Sequence, residues 1–134
     1  MIDHISVLVS DYQRSKAFYL AALAPLGYEL VMELSRDQVP ELGSSHVCGL
    51  GAGSPDLWLA PTAATIVPTH LAFRAQSKEQ VDAFYQAALA AGGRDNGAPG
   101  PRPIYHPGYY GAFVLDPDGY NVEAVIHDHG SPAK

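Results

Sequence analysis

In two short stretches of the chain, apolar side chains recur at every second position. In ISVLV (5–9) the residues Ile5, Val7 and Val9 fall on one face, and LAFRA (71–75) repeats the alternation. Because successive side chains of a strand point to opposite faces, this pattern predicts two strands that each pack one face on a core. The opposite face carries a histidine at the start of each run, His4 in the first and His70 in the second.

A helix is predicted after each of these strands. Residues 10–13 (SDYQ) and 77–80 (SKEQ) match the capping-box pattern, in which Ser and Gln side chains bond the first free N–H groups of a helix. In the second helix an apolar stripe at helical spacing consists of Val81, Phe84, Tyr85, Ala88 and Leu89. The first helix carries a weaker version of the same stripe. Gly27 and the pair Gly92-Gly93 predict where the helices end.

Strand-like runs complete both halves of the chain. They lie at 28–34, 45–51 and 56–61 in the first half, and near 94–98, at 109–115 and at 120–127 in the second. The Pro and Gly of DPDG (116–119) suit a tight turn between the last two strands. Residues 61–68 join the halves. Residues 97–108 (GAPGPRPIYHPG) are rich in Pro and Gly, which predicts a long loop with a functional role.

The two halves are copies of one sequence module. Residues 3–28 align with residues 69–94 at a constant offset of 66, and nine of these 26 positions are identical. The identical pairs are His4/His70, Ala17/Ala83, Phe18/Phe84, Tyr19/Tyr85, Ala21/Ala87, Ala22/Ala88, Leu23/Leu89, Ala24/Ala90 and Gly27/Gly93. This duplication predicts an α+β fold of two βαβββ modules. We expect a single domain over residues 1–134, with module 1 at about 1–60 and module 2 at about 68–128.

Composition narrows the classes of partner and compartment. The chain has 8 Lys and Arg residues against 14 Asp and Glu residues, a net charge of −6, whereas nucleic-acid binding needs a basic face. Cys48 is the single cysteine, so an intrachain disulfide is excluded. No apolar run approaches the roughly 20 residues of a membrane helix, and the start lacks a signal-peptide pattern. We therefore expect a cytoplasmic protein that binds neither nucleic acid nor membrane.

The matched histidines of the two βαβββ copies, together with the ending AFVLDPDGYNVEAV (112–125), resemble the vicinal oxygen chelate superfamily. This group includes glyoxalase I, fosfomycin and bleomycin resistance proteins and extradiol dioxygenases. The resemblance implies a cup-shaped, barrel-like sheet with helices outside and a divalent metal at its centre. By position it implies the ligands His4, His70 and Glu123, and such a set is typical of zinc and of non-haem iron. The alternative is that these are ordinary polar residues on a wet sheet face.

The resemblance to glyoxalase I is incomplete at its fourth ligand. The matching strand here is DLWLAP (56–61), and Trp58 stands in the ligand's place. An indole N–H only donates hydrogen bonds and cannot bind a metal. We expect Trp58 to form an apolar wall for a substrate, the alternative being a plain core residue. Three ligands with an open side resemble the fosfomycin resistance proteins, but the tail HDHGSPAK (127–134) is a poor match to their phosphonate-binding tail.

Further site residues are predicted in and near the loop. Tyr105 and His106 are the candidate catalytic residues, since a Tyr or His near a metal-bound substrate can transfer a proton. The candidate substrate-binding residues are Trp58, Arg74, Arg102 and Tyr110. An Arg can clamp an anionic group, and Tyr109 and Tyr110 could close over the cup. The alternatives are tyrosines that pack, an Arg102 that faces water and an Arg74 that pairs with an acid such as Glu33.

These features predict a metal-dependent enzyme that resembles the glyoxalases, a lyase or isomerase acting on a small substrate with two neighbouring oxygens. Its cofactor would be one divalent metal ion acting as a Lewis acid, zinc in the first place, with nickel, manganese or iron as alternatives. The alternative functions are a non-catalytic, drug-binding protein of the bleomycin-resistance type and a fosfomycin-type transferase. We also expect a homodimer, because family members often pair modules between chains.

Overall fold

A computed structural model describes residues 1–128 of the chain. Module 1 contains β1 (Ile5–Val9), α1 (Tyr12–Leu23), a 3₁₀ turn (Ala24–Leu26), β2 (Glu29–Ser35), β3 (His46–Gly51) and β4 (Leu57–Pro61). Module 2 contains β5 (His70–Arg74), α2 (Lys78–Ala90), β6 (Arg94–Pro101), β7 (Tyr109–Leu115) and β8 (Asn121–His127). The predicted βαβββ order is therefore confirmed in both modules. Neither helix within residues 1–128 has the length and apolar character needed to cross a membrane.

The strands form two four-stranded sheets, one in each module. Their orders are β1-β4-β3-β2 and β5-β8-β7-β6, so the first strand of each module lies at a sheet edge. That strand pairs in parallel with the last strand of its module, and the remaining pairs are antiparallel. This is the predicted α+β fold. Among the described residues the sheet is present as two separate halves rather than as one closed barrel.

Each helix covers one face of its own sheet, and the two helices also contact each other. Phe18 of α1 and Phe84 of α2, which are equivalent in the repeat, are both buried in a common core. On β1, Val7 is 4% exposed whereas Leu8, on the opposite face, is 49% exposed. The apolar face predicted from the alternation is therefore the face toward the helix, and the other face of β1 is open.

The start of α1 differs from the predicted capping box. Asp11, not Ser10, caps the helix by accepting a backbone N–H at 3.1 Å. The hydroxyl of Ser10 donates to Asp118 of module 2 instead. Ser77 caps α2 as predicted, by accepting the N–H of Gln80 at 3.1 Å. The hydrogen bond between Ser10 and Asp118 joins the two modules and is not visible in the local sequence pattern. It occupies Ser10, and Asp11 caps α1 in its place.

The prediction of a loop over 97–108 is wrong in its first part, because β6 continues to Pro101. β6 is an edge strand, and its pairing with β7 shifts register at two points. Proline lacks the N–H that an inner strand needs, but an edge strand has one side that requires no partner. Pro99 and Pro101 are therefore tolerated here, and the irregular segment is confined to 102–108.

The DPDG turn connects module 2 to module 1. The buried carboxylate of Asp116 accepts a hydrogen bond from the hydroxyl of Tyr19 in α1. Asp118 accepts the backbone N–H of Ser10 at 3.0 Å, and the hydroxyl of Tyr120 donates to a carbonyl of β1 at 2.8 Å. Burial raises the pKa of Asp116 above its ordinary value. The turn is therefore an intermodule contact as well as a connection between strands.

Candidate metal and substrate site

The open face of the module 2 sheet brings a histidine and a glutamate together. Strand pairing sets Ala72 of β5 opposite Glu123 of β8, and His70 lies two residues earlier on the same face of β5. Nε2 of His70 is 2.7 Å from Oε1 of Glu123. The side chain of His70 is 51% exposed, whereas that of Glu123 is 1% exposed. The pair is thus a buried carboxylate beside an accessible imidazole.

Tyr109 engages the second oxygen of Glu123, to which its hydroxyl donates a hydrogen bond. The phenol ring passes over Gly111, where an added Cβ would lie 3.1 Å from Oε2 of Glu123 and 3.3 Å from Cε1 of Tyr109. Burial, together with the bond to Glu123, raises the pKa of Tyr109 well above its ordinary value. Both oxygens of Glu123 therefore have hydrogen-bond partners, as is usual for buried polar groups.

The predicted catalytic residues Tyr105 and His106 are packed around Tyr109. The ring centroid of Tyr109 is 4.7 Å from that of Tyr105 and 5.6 Å from that of His106. Nε2 of His106 is 2.9 Å from Nδ1 of His127, and Tyr105 is 59% exposed. An open groove of about 530 Å³ borders His106, Tyr109 and the start of α2. The segment 102–108 thus lies beside the residue that reaches Glu123.

His4 is separate from this cluster within one chain. It precedes β1, is exposed, and its Nδ1 lies 2.7 Å from a carboxylate oxygen of Asp3. Residues 1–128 contain no group of three or more His, Cys, Asp or Glu side chains that could hold a metal ion. The structure therefore brings two of the three predicted metal ligands together and keeps the third apart on module 1.

Trp58 occupies the position in module 1 that Glu123 occupies in module 2. Ser6 and Ala72 are equivalent at the offset of 66, and strand pairing sets Trp58 opposite Ser6 as it sets Glu123 opposite Ala72. The indole of Trp58 lies over Gly49, where an added Cβ would be 3.0 Å from two of its ring carbons. Trp58 is half-buried on the open face of the module 1 sheet.

Arg74 is the predicted substrate-binding residue that shares a face with His70. It is exposed, four residues further along β5, and it forms no ion pair with the described part of the chain. Glu33, the alternative partner considered for Arg74, accepts from Lys16 at 2.7 Å and from Tyr12 at 2.7 Å. The guanidinium of Arg74 is therefore available to an anionic group on the open face.

Arg102 and Tyr110 are already engaged by the protein. The guanidinium of Arg102 donates to the carbonyls of Ala98 at 2.7 Å and Gly100 at 2.9 Å, which ties the end of β6 together. The hydroxyl of Tyr110 donates to Asp82 of α2 at 2.7 Å, on the face opposite to Tyr109. Tyr110 therefore points away from the His70–Glu123 pair, whereas the guanidinium of Arg102 also lies 5.4 Å from the ring centroid of Phe113, which is 6.0 Å from that of His70. Their predicted role in substrate binding stays a prediction.

Comparison with known proteins assigns the family. The model of the Glyoxalase/Bleomycin resistance protein/Dioxygenase superfamily matches residues 1–124. The chain belongs to this superfamily. The chain is also similar to the uncharacterized protein YqjT of Bacillus subtilis (strain 168), with 31% identity over 132 residues, 92% of this chain and 97% of YqjT. The resemblance carried by the repeat and the DPDG ending is therefore confirmed.

Solved structures of the glyoxalase superfamily share the fold. A glyoxalase/bleomycin resistance protein from Albidiferax ferrireducens has 29% identity and a TM-score of 0.71, with 94% of this chain and 98% of that chain covered. The E144Q mutant of glyoxalase I from Zea mays has 24% identity and a TM-score of 0.68, with 92% of this chain and 46% of that chain covered. The likeness to the maize enzyme concerns the fold alone.

Enzymes of the glyoxalase superfamily often use a divalent metal, and the donor set of this chain fits such an ion in part. His70 and Glu123 offer an imidazole nitrogen and a carboxylate oxygen, both of which are zinc donors. The two donor atoms already lie 2.7 Å apart. A catalytic zinc site takes three ligands from the protein, so one more donor is needed. Trp58 cannot supply it, and His4 is the third ligand that the sequence predicts.

Proposed function

We propose that this protein is a metal-dependent enzyme, a lyase or isomerase acting on a small substrate with two neighbouring oxygens. The observation that supports the proposal most directly is the buried Glu123 beside the accessible His70. Burying a carboxylate costs free energy unless each of its oxygens accepts a hydrogen bond. Glu123 is buried and hydrogen-bonded on a sheet face that is otherwise open. Such an arrangement favours a binding role over a purely structural one.

We propose one divalent metal ion, zinc in the first place, held by His70 and Glu123 of one chain and by His4 of a second copy. When bound, such an ion supplies Lewis-acid polarisation of a substrate oxygen. The sharing between chains is supported by the position of His4 on module 1 and by the lack of any three-donor group within residues 1–128. A symmetric homodimer would form two identical sites in this way.

The other predicted residues would bind and position the substrate. Arg74 would pair with an anionic group, because it is exposed, unpaired in the described chain and on the face of His70. Trp58 would contact an apolar part of the substrate from the module that carries His4. Tyr105 and His106, beside the groove next to Tyr109, would be the residues that transfer protons.

Mixing two variants tests both the metal site and its sharing. We expect His4→Ala and His70→Ala each to lose stoichiometric Zn²⁺ binding in protein purified free of metal. A mixed dimer contains one His4→Ala chain and one His70→Ala chain, so one of its two sites has both histidines intact and the other has neither. Because random subunit exchange makes about half of the dimers mixed, about one site in four should bind Zn²⁺ again. His46→Ala is the control, since His46 is exposed on β3 and contacts Ser45 and Tyr12.

Three results would contradict this proposal. Unchanged Zn²⁺ affinity in His70→Ala would remove the metal site. Failure of the mixture to recover binding, with both variants dimeric in sedimentation, would place the site within one chain. A wild-type protein that remains monomeric and binds no divalent ion would favour the drug-binding alternative. The observation that favours that alternative is the open face of module 1, where Leu8 and Met32 are 49% and 44% exposed.

A further inference from the structure

We infer that Tyr109 is a positioning residue that holds Glu123 so that one carboxylate oxygen, Oε1, is presented to the metal. This inference rests on the proposed metal site at His70 and Glu123. The sequence patterns point to Tyr105 and His106 instead, and membership of the superfamily does not assign a role to Tyr109. The two oxygens of Glu123 have different partners, His70 for Oε1 and Tyr109 for Oε2.

The carboxylate of Glu123 faces two different environments. Oε1 lies 2.7 Å from Nε2 of His70, whose side chain is 51% exposed. Oε2 lies beside Gly111 and accepts a hydrogen bond from the hydroxyl of Tyr109. A hydrogen bond to a ligating carboxylate orients it and occupies a lone pair that would otherwise compete for the metal. The contact with Tyr109 therefore favours binding through Oε1 alone.

The glycine between the two residues is part of the same arrangement. Gly111 lies on the face of Tyr109 and Glu123, and strand pairing sets it opposite Val125. An added Cβ there would meet Oε2 of Glu123 at 3.1 Å and the Tyr109 ring at 3.3 Å. These contacts are tighter than ordinary van der Waals contact, so a side chain would push the phenol and the carboxylate apart. The absence of a side chain lets Tyr109 reach Glu123 along the sheet.

Three neighbouring rings fix the phenol in this position. The ring of Tyr105 is tilted against that of Tyr109 at 4.7 Å, His106 lies at 5.6 Å, and His127 meets the ring edge-on at 5.3 Å between centroids. Two of these rings belong to the segment 102–108. Tyr105 and His106 would therefore also support the position of Tyr109, in addition to their proposed role in proton transfer.

The experiment compares Tyr109→Phe with Tyr28→Phe. Tyr28 is a matched control because it is also a half-buried tyrosine whose hydroxyl donates to a carboxylate, Asp56, at 2.8 Å in module 1. Zn²⁺ affinity is measured by competition with a chelator, and the visible spectrum of Co²⁺-loaded protein reports the coordination geometry. We expect Tyr109→Phe to weaken Zn²⁺ binding about 10–100-fold and to change the Co²⁺ spectrum. Tyr28→Phe should do neither.

Gly111→Ala is a second variant that displaces the same contact without removing the hydroxyl. We expect it to weaken Zn²⁺ binding in the same direction as Tyr109→Phe. Equal affinity and an identical Co²⁺ spectrum in wild type and folded Tyr109→Phe would overturn the inference while leaving the metal site intact. A wild-type protein without Zn²⁺ binding would instead overturn the proposed function. Folding of each variant is checked by circular dichroism before titration.

Discussion

At the scale of single residues, Trp58 and Glu123 show how a duplicated module diverges. Strand pairing puts both at the same place in their modules, opposite Ser6 and Ala72. Glu123 is fully buried, with one partner for each of its two carboxyl oxygens. Trp58 is half-buried and spreads over Gly49. One copy has therefore kept a donor where the other has an apolar surface.

Trp58→Glu would restore a donor at this position. Because Trp58 and His4 belong to the same module, the new carboxylate would enter the proposed site together with His4. We expect Zn²⁺ affinity to rise about tenfold, equivalent to about 1.4 kcal/mol. Turnover of a native substrate, once known, should fall because the apolar wall is lost.

The control for this prediction is Trp58→Gln, which loses the same ring and adds no charge. Both affinities are measured on folded protein, since loss of a large packed side chain costs stability. Equal Zn²⁺ affinity in Trp58→Glu and Trp58→Gln would show that position 58 does not face the metal.

At the scale of elements, two glycines that are identical in the repeat serve different purposes. Gly27 follows the 3₁₀ turn with a positive φ of 90°, and a Cβ there would meet no atom within 4 Å. Gly93, its equivalent, lies where α2 meets β6 and is crowded, since an added Cβ would be only 2.5 Å from Cγ1 of Val114 and 2.9 Å from Cε1 of Phe18. The positive φ after α2 belongs to Gly92. Gly27 is thus required by its conformation and Gly93 by close packing.

Gly93→Ala should therefore destabilise the fold by about 1–3 kcal/mol, the usual cost of overpacking a core. Gly43→Ala is the control, since a Cβ at Gly43 meets no atom within 4 Å, and its effect should stay within about 0.5 kcal/mol. Urea denaturation of the three proteins measures the free energy of unfolding. Equal stability of Gly93→Ala and wild type would mean that the end of α2 shifts freely, contrary to its packing against β7 and α1.

At the scale of the whole molecule, the modules are held together by the helices and by the turn between β7 and β8. Oδ1 of Asp116 accepts the backbone N–H groups of Asp118 and Tyr120 at 2.8 and 2.9 Å, while Oδ2 accepts the hydroxyl of Tyr19. The same carboxylate thus closes the turn and connects it to α1. Because Asp116 is 3% exposed, ionising its carboxyl group in the folded protein costs free energy despite these hydrogen bonds.

Asp116 should make stability depend on pH in a defined direction. Burial raises its pKa in the folded state above the ordinary value of 3.8, so the folded protein favours the protonated form. The stabilising contribution of Asp116 to the folded protein is fully present below pH 3.8. It decreases as the pH rises through 3.8 toward the raised pKa. Asp116→Asn keeps an acceptor for the turn and cannot ionise. The stability of wild type relative to Asp116→Asn should therefore fall with pH across this window.

Chemical denaturation of both proteins from about pH 3 to pH 7 measures this difference. Subtracting the two curves removes the opposite contribution of Glu33, whose pKa is lowered by its bonds to Lys16 and Tyr12. A difference that does not change with pH would contradict the prediction.

The sequence by itself determined the order of the elements and the duplication, because both are encoded in short-range patterns. The alternation around Val7 and Leu71, the cap at Ser77 and the constant offset of 66 each involve neighbours along the chain. The same patterns misjudged β6, since tolerance of Pro99 and Pro101 depends on lying at a sheet edge, which is a property of the assembled sheet.

The tertiary structure decided which side chains meet at the site. His70 and Glu123 are 53 residues apart and come together only through the pairing of β5 with β8. The alternation of 109–115 already places Tyr109 and Gly111 on one face, yet the contact with Glu123 depends on the register of β7 against β8. His4 carries the same local signal as His70 but lacks these partners, because contacts between distant residues are set by packing and register rather than by local sequence.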